Sequence, residues 1–174
     1  MKRPTSRTLA YAGVLVALNV VLSRFVSVPV GRIFRISIGS VPVILSSLWL
    51  GSFFGGVTGF LGDLIGCAIN GYAPNPFIIT SAILTGVIPA LFRPFLSIRN
   101  HPVKRYLRFV LVLFGMMMLT SQGLTVMGLS VLYHLPFRAT WISRIPQTIA
   151  LCLVNSFLCN MLYSRLRLPD EEHI

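Results

Sequence analysis

Negative charge is nearly missing from this sequence. Of 174 residues four are acidic, three of them (Asp170, Glu171, Glu172) at the very end, and charged residues of either sign make up 11%. Ordinary soluble domains carry about 25% charged residues, so no soluble domain of any size is expected. Asp63 is the one carboxylate before position 170, which leaves an intramembrane aspartyl enzyme without its second acid. Cysteine is scarce too: Cys67, Cys152 and Cys159 are too few and too scattered for a disulfide framework or a tetrahedral metal site, and their apolar surroundings point to packing. The three histidines, His101, His134 and His173, fall in loops or the tail, so neither a metal set nor a serine and histidine pair is available. A phosphate-cradling glycine loop ending in Lys-Ser or Lys-Thr is also lacking. Neither an enzyme nor a resident cofactor is expected, and ATP would have to be bound by another protein.

What the sequence has instead is apolar length. Hydrophobic residues make up 55% of the chain and its mean hydropathy is +0.80. At about 20 residues per membrane-spanning helix, the chain accommodates a single all-α integral membrane domain over residues 1–174, a bundle of about six transmembrane helices. The apolar runs place them near 8–26, 38–50, 53–69, 77–92, 107–131 and 142–163. The basic start Met1 to Arg7 leads into a run long enough to span, with no small-residue cleavage site, so the first helix is expected to stay in the lipid bilayer.

Glycine in a membrane helix lets neighbouring backbones approach closely. Gly55, Gly59, Gly62 and Gly66 are spaced by four, three and four, which puts them on one face of the third helix. That face is expected to press against a neighbour. Gly13 and Ala17 on the first helix, with Ala10 nearby, form a second small-residue patch, suited either to internal packing or to docking of another membrane protein.

A net charge of +11 invites a nucleic-acid reading, but the basic residues sit at the ends of apolar segments and form no stripe on a soluble face. Most obey the positive-inside rule. Lys2, Arg3 and Arg7, then Arg93, Arg99, Lys104, Arg105 and Arg108, then Arg165 and Arg167 fall on one side if the number of spans is even, which places both termini in the cytoplasm. Arg24, Arg32, Arg35, Arg138 and Arg144 are left on the outer side, where that rule predicts depletion. Guanidinium groups bind carboxylates bidentately, so Arg24, Arg35 and Arg144 are candidates for holding an anionic ligand, the alternative being lipid headgroups or Asp63. Asp63 itself is expected either to hydrogen-bond a polar ligand ring or to pair with an arginine, because an unpaired carboxylate at membrane depth costs at least about 2.5 kcal/mol. Asn70, Tyr72 and Asn75 in a turn stiffened by Pro74 and Pro76, followed by Phe77, Thr80 and Ser81, offer amides, hydroxyls and aromatic faces to a planar heteroaromatic ligand. The same residues also suit an ordinary polar turn with an interfacial aromatic belt.

The stretch from Arg35 to Leu45 (RISIGSVPVIL), the run Leu50 to Gly66 (LGSFFGGVTGFLGDLIG) and Pro76 to Gly86 (PFIITSAILTG) together resemble the substrate-binding S components of energy-coupling factor vitamin transporters. The folate-specific subfamily is the most similar. The resemblance extends from the basic start, through the small-residue patch on helix one, to a closing Arg144-Ile-Pro-Gln147 segment before an apolar helix. It implies a multi-pass subunit of the bacterial plasma membrane that captures a vitamin from outside. Its partners would be a transmembrane scaffold, or T component, and two cytoplasmic ATPases, with Gly13 and Ala17 contacting the scaffold. Folate carries a pterin ring and a glutamate with two carboxylates, which the outer arginines suit. An S component for a different anionic vitamin or precursor, and a ligand-free membrane scaffold, are the alternatives.

Overall fold

The computed structural model describes residues 6–25, 28–30, 34–71, 73–96, 102–133 and 136–165. Helix α1 (Ser6–Arg24) is followed by a small antiparallel hairpin of β1 (Val28–Val30) and β2 (Phe34–Ile36), in which Pro29 lies opposite Arg35. Then come α2 (Ser40–Leu50), α3 (Ser52–Asn70), α4 (Pro76–Leu91) and the single turn α5 (Arg93–Leu96). Helix α6 (Pro102–Met117) runs through a π-helical stretch (Met118–Thr125) into α7 (Val126–Tyr133), and α8 (Phe137–Arg165) closes the chain. Among the described residues four segments are long and apolar enough to cross a membrane, Ser6–Arg24, Ser52–Asn70, Val103–Leu132 and Phe137–Tyr163, with Ser40–Leu50 and Pro76–Leu91 as shorter apolar helices between them. The expected six-helix membrane bundle is thus present.

Specific pairs fix the directions of the helices. Ser37 Oγ donates to the Leu22 carbonyl at 3.3 Å, so α2 turns back along α1. A single residue, Gly51, joins α2 to α3, and its φ of 96° is open to glycine at little cost. Ser46 bonds Thr58 at 2.9 Å across that turn. Asn75 caps α4, accepting from the Phe77 N–H at 3.0 Å, while its amide donates to the Gly128 carbonyl at 3.1 Å. At the opposite end Arg105 Nε donates to Asn160 Oδ1 at 2.9 Å, and further along Cys152 Sγ approaches the Val110 carbonyl at 3.7 Å. Helices α1, α3 and α6–α7 therefore run one way and α2, α4 and α8 the other. The hairpin, the α3–α4 turn and the α7–α8 turn share one end of the bundle.

The glycine face of α3 is in contact as its spacing requires. A Cβ added to Gly55 would fall on the Gly86 carbonyl and Ser47, one on Gly59 would meet the Ala82 carbonyl, one on Gly62 the Asn19 side chain, and one on Gly66 the Arg24 guanidinium. The first two positions serve α4 and the last two serve α1, so one stripe of small residues seats two helices. Gly13 differs, since a Cβ there would meet nothing within 4 Å, and Ala10 and Ala17 are exposed beside it. Among the described residues the patch takes no part in internal packing.

The buried side chains of α6 and α8 grade from mainly apolar to mainly polar along the bundle. Val41, Ile44, Leu45 and Leu48 of α2 cluster with Phe109, Val112, Leu113, Met116 and Met117 of α6, and with Cys152 and Cys159 of α8. Beyond Met117 the buried side chains change character to Thr120 and Gln122, and on α8 to Thr140, Arg144 and Thr148.

The structure departs from the expected boundaries in three places. The hairpin occupies what reads as a loop, because two three-residue strands separated by glycine carry too little periodicity to register. The fifth span starts at Pro102 and contains the π-helical stretch. The last begins at Phe137, not near 142, so Arg138 and Arg144 lie within α8 and do not bracket its start. Arg138 is exposed in the first turn, whereas Arg144 is buried two turns further in. Gly55→Leu and Gly86→Leu are each expected to destabilise the detergent-solubilised protein by at least about 2 kcal/mol through overpacking, while Gly115→Ala, which meets nothing within 4 Å, is expected to leave the unfolding midpoint unchanged.

Candidate functional site

Two groups of polar side chains occupy the polar end. The first lies among α1–α4. Arg24 at the end of α1 meets Asp63 of α3, with Nη2 to Oδ1 at 3.7 Å. Parallel α1 and α3 bring these residues to one level, and Gly62 and Gly66 leave the room that the Asn19 and Arg24 side chains fill. The pair borders a cavity of about 190 Å³ lined also by Asn19, Ser23, Ser40 and Thr85. This is smaller than the roughly 300–1,000 Å³ of pockets that enclose drug-sized ligands. Of the two roles open to Asp63, the structure shows the ion pair, while Arg24 Nε and Asp63 Oδ2 have no hydrogen-bond partner among the described residues.

The second group lies where the π-helical stretch, α7 and α8 come together. Thr140, Arg144, Thr148, Cys152, Asn155 and Cys159 follow one another at steps of three or four and form the buried face of α8. Arg144 is only 9% exposed and its Nε has no hydrogen-bond partner among the described residues. Pro146 supplies no backbone N–H, which frees the Ile142 carbonyl within the same turn. Deeper along this face the Asn155 amide donates to Ser40 at 3.0 Å, while its carbonyl oxygen is left without a partner among the described residues. Gln122, on the neighbouring π-helical stretch, is 1% exposed, and both of its amide atoms are unpartnered among the described residues. Strand β2 also packs on α8, so the hairpin stands over this end.

The remaining sequence candidates divide. Asn75 and Ser81 are buried, but their hydrogen bonds serve the fold: Asn75 caps α4 and holds Gly128, while Ser81 donates to the Thr120 carbonyl at 2.9 Å and lies 3.0 Å from Thr125 Oγ1. Asn70 donates back to the Gly66 carbonyl at 2.8 Å and Thr80 to the Pro76 carbonyl at 2.7 Å, both on exposed side chains. Phe77 is 36% exposed. Tyr72, Arg32 and the side chain of Arg35 lie outside the described residues. Among the described side chains, Arg24 belongs to the α1–α3 contact and Arg144 to the α8 face. Gln122 and Asn155 escaped the sequence reading, although a lone amide within an apolar span is itself a signal of function.

The comparisons with known proteins agree with this architecture. A solved structure of FolT bound with folic acid superposes with a TM-score of 0.77 at 23% identity, over 94% of this chain and 96% of that one. A structure of ThiT from Listeria monocytogenes gives a TM-score of 0.62 at 19% identity, over 92% of this chain and 96% of that one. At these identities the likeness is one of fold. No curated protein sequence matches the chain significantly. The model of the family described as "ECF-type riboflavin transporter, S component" matches residues 3–167, nearly the whole length. This chain, with its six-helix bundle, belongs to that family of energy-coupling factor S components, the substrate-binding subunits of vitamin transporters.

Proposed function

We propose that this S component captures folate, or a related reduced folate, from the outer face of a bacterial plasma membrane and delivers it with a separate ATPase module. The observation that carries the choice of an anionic vitamin is Arg144. Its guanidinium is buried in the polar half of the bundle, and Asp63, the sole acid before Asp170, lies against Arg24. A buried cation needs a counter-charge, and a carboxylate of the folate glutamate supplies one in bidentate geometry. Arg35 on the hairpin is proposed as a second contact. Asn70, Tyr72, Phe77 and Thr80 are retained as contacts at the outer rim, with Asn75 and Ser81 acting from behind to hold α4 against the π-helical stretch and α7. Riboflavin is the second reading, favoured by the description of the matching family.

The α1 patch completes the proposal. Ala10, Gly13 and Ala17 are exposed on a helix whose other face is packed, and a flat small-residue surface lets a partner helix approach closely. We assign it to the transmembrane scaffold of the transporter, whose two ATPases supply the motor. Both termini are placed in the cytoplasm on the charge distribution already described.

Titration of the detergent-purified protein with folic acid and with riboflavin tests the substrate. Folic acid is expected to bind, and Arg144→Met to weaken it by about 100-fold, the equivalent of about 2.7 kcal/mol. Binding of riboflavin alone sinks the folate reading and keeps the family. Gly13→Trp and Ala17→Trp are expected to leave titrations unchanged while abolishing uptake into cells or proteoliposomes that contain the ATPase module. Uptake that survives both substitutions removes α1 as the docking surface.

A further inference from the structure

Gln122 is a buried amide whose hydrogen bonds are unaccounted for among the described residues. It is 1% exposed, and neither its oxygen nor its nitrogen has a partner among the described residues. It sits in the middle of the π-helical stretch Met118–Thr125, a geometry that is rare and frequently found at functional sites. The stretch is fastened from one side. Ser81 donates to the Thr120 carbonyl and contacts Thr125, so Thr120 and Thr125 mark the face turned to α4.

Two residues beyond Thr120, Gln122 points close to the opposite way, and the other neighbouring helix packed on this stretch is α8. The antiparallel register of α6 and α8, set by Arg105 with Asn160 and Val110 with Cys152, brings Gln122 level with the turn of α8 that carries Arg144 when it is carried outward. The amide and the guanidinium thus stand on facing surfaces at one depth, each with unspent hydrogen-bonding capacity.

The two groups ask for different partners. A carboxylate satisfies Arg144 but can only accept from Gln122, leaving its carbonyl oxygen unpaired. A cyclic amide edge, an N–H beside a C=O in one plane, satisfies both atoms of a carboxamide at once. We propose that Gln122 is a specificity-determining residue that pairs with the cyclic amide edge of the ligand's heteroaromatic ring. This assignment rests on the reading of the chain as a vitamin-capture subunit, but not on the choice of vitamin, because the pterin of folate and the ring system of riboflavin both present such an edge. It also explains the π-helical stretch: the extra residue in the turn rotates Gln122 towards α8 while Ser81 keeps the α4 side in register.

The test uses Gln122→Met, which preserves length and apolar volume, with the shorter Gln122→Leu in parallel. Wild type and variants are titrated with folic acid and riboflavin, and the unfolding midpoint of each ligand-free protein is measured. Removing an unpaired buried amide is expected to leave that midpoint unchanged or raise it, while affinity for the vitamin that wild type binds falls about tenfold or more. Unaltered affinity overturns the assignment of Gln122 and leaves vitamin capture standing. A midpoint and an affinity that fall together mark Gln122 as structural and overturn it as well. Wild type binding neither vitamin overturns the folate and riboflavin readings and this inference with them.

Discussion

Lipid tails are as apolar as leucine, so helices in a bilayer adhere through close van der Waals packing and have little to gain from leaving the solvent. In this chain that packing centres on α3, where Gly55 meets the backbone of Gly86 and Gly59 that of Ala82, while Gly62 and Gly66 accommodate Asn19 and Arg24. One helix therefore fixes both α4 and α1, and α2 follows because Gly51 reverses the chain in a single residue. The Arg24 and Asp63 pair depends on the same stripe: a side chain at position 66 would occupy the space the guanidinium fills.

The second half of the chain is built on another logic. Helices α6 and α8 bury leucine, methionine, phenylalanine and cysteine at one end and polar groups at the other. In such surroundings an unpaired hydrogen-bonding group costs about 1–3 kcal/mol, more if charged. Arg144, Gln122 and Asn155 each carry a polar atom without a partner among the described residues, which a polar ligand would satisfy. A rigid glycine-packed half beside a polar half is a sensible division for a binding subunit, since the first holds its shape while the second changes partners. The hairpin that joins α1 to α2 also packs on α8, so the two halves meet over the polar end.

Family membership and site geometry answer different questions. The family match over residues 3–167 and the fold shared with FolT and ThiT say that the chain is a substrate-binding subunit. Substrate choice rests on side chains, and here the charge balance carries the argument: a bundle with a single acid, already facing an arginine, has a further buried arginine to neutralise.

Much of the fold was legible because membrane constraints write directly into sequence. Apolar runs bounded by basic residues marked out the helices, though the last two begin five residues earlier than expected, and the glycine spacing on α3 gave its packed face, since helical periodicity is a local property. The paucity of acid made Asp63 stand out before any coordinates. What sequence left open was which of several alternatives each polar residue adopts, because that depends on what lies across from it. Asn75 and Ser81 read as ligand contacts until the fold set Gly128, Thr120 and Thr125 opposite them. Gln122 passed as one amide in an apolar run, and only the structure shows that it is buried without a partner among the described residues. The sequence by itself determined a membrane bundle, its small-residue faces and its charge asymmetry. The tertiary structure decided that Arg24 answers Asp63 while Arg144 does not, because pairing is a matter of distance between helices that the order of residues along the chain does not encode.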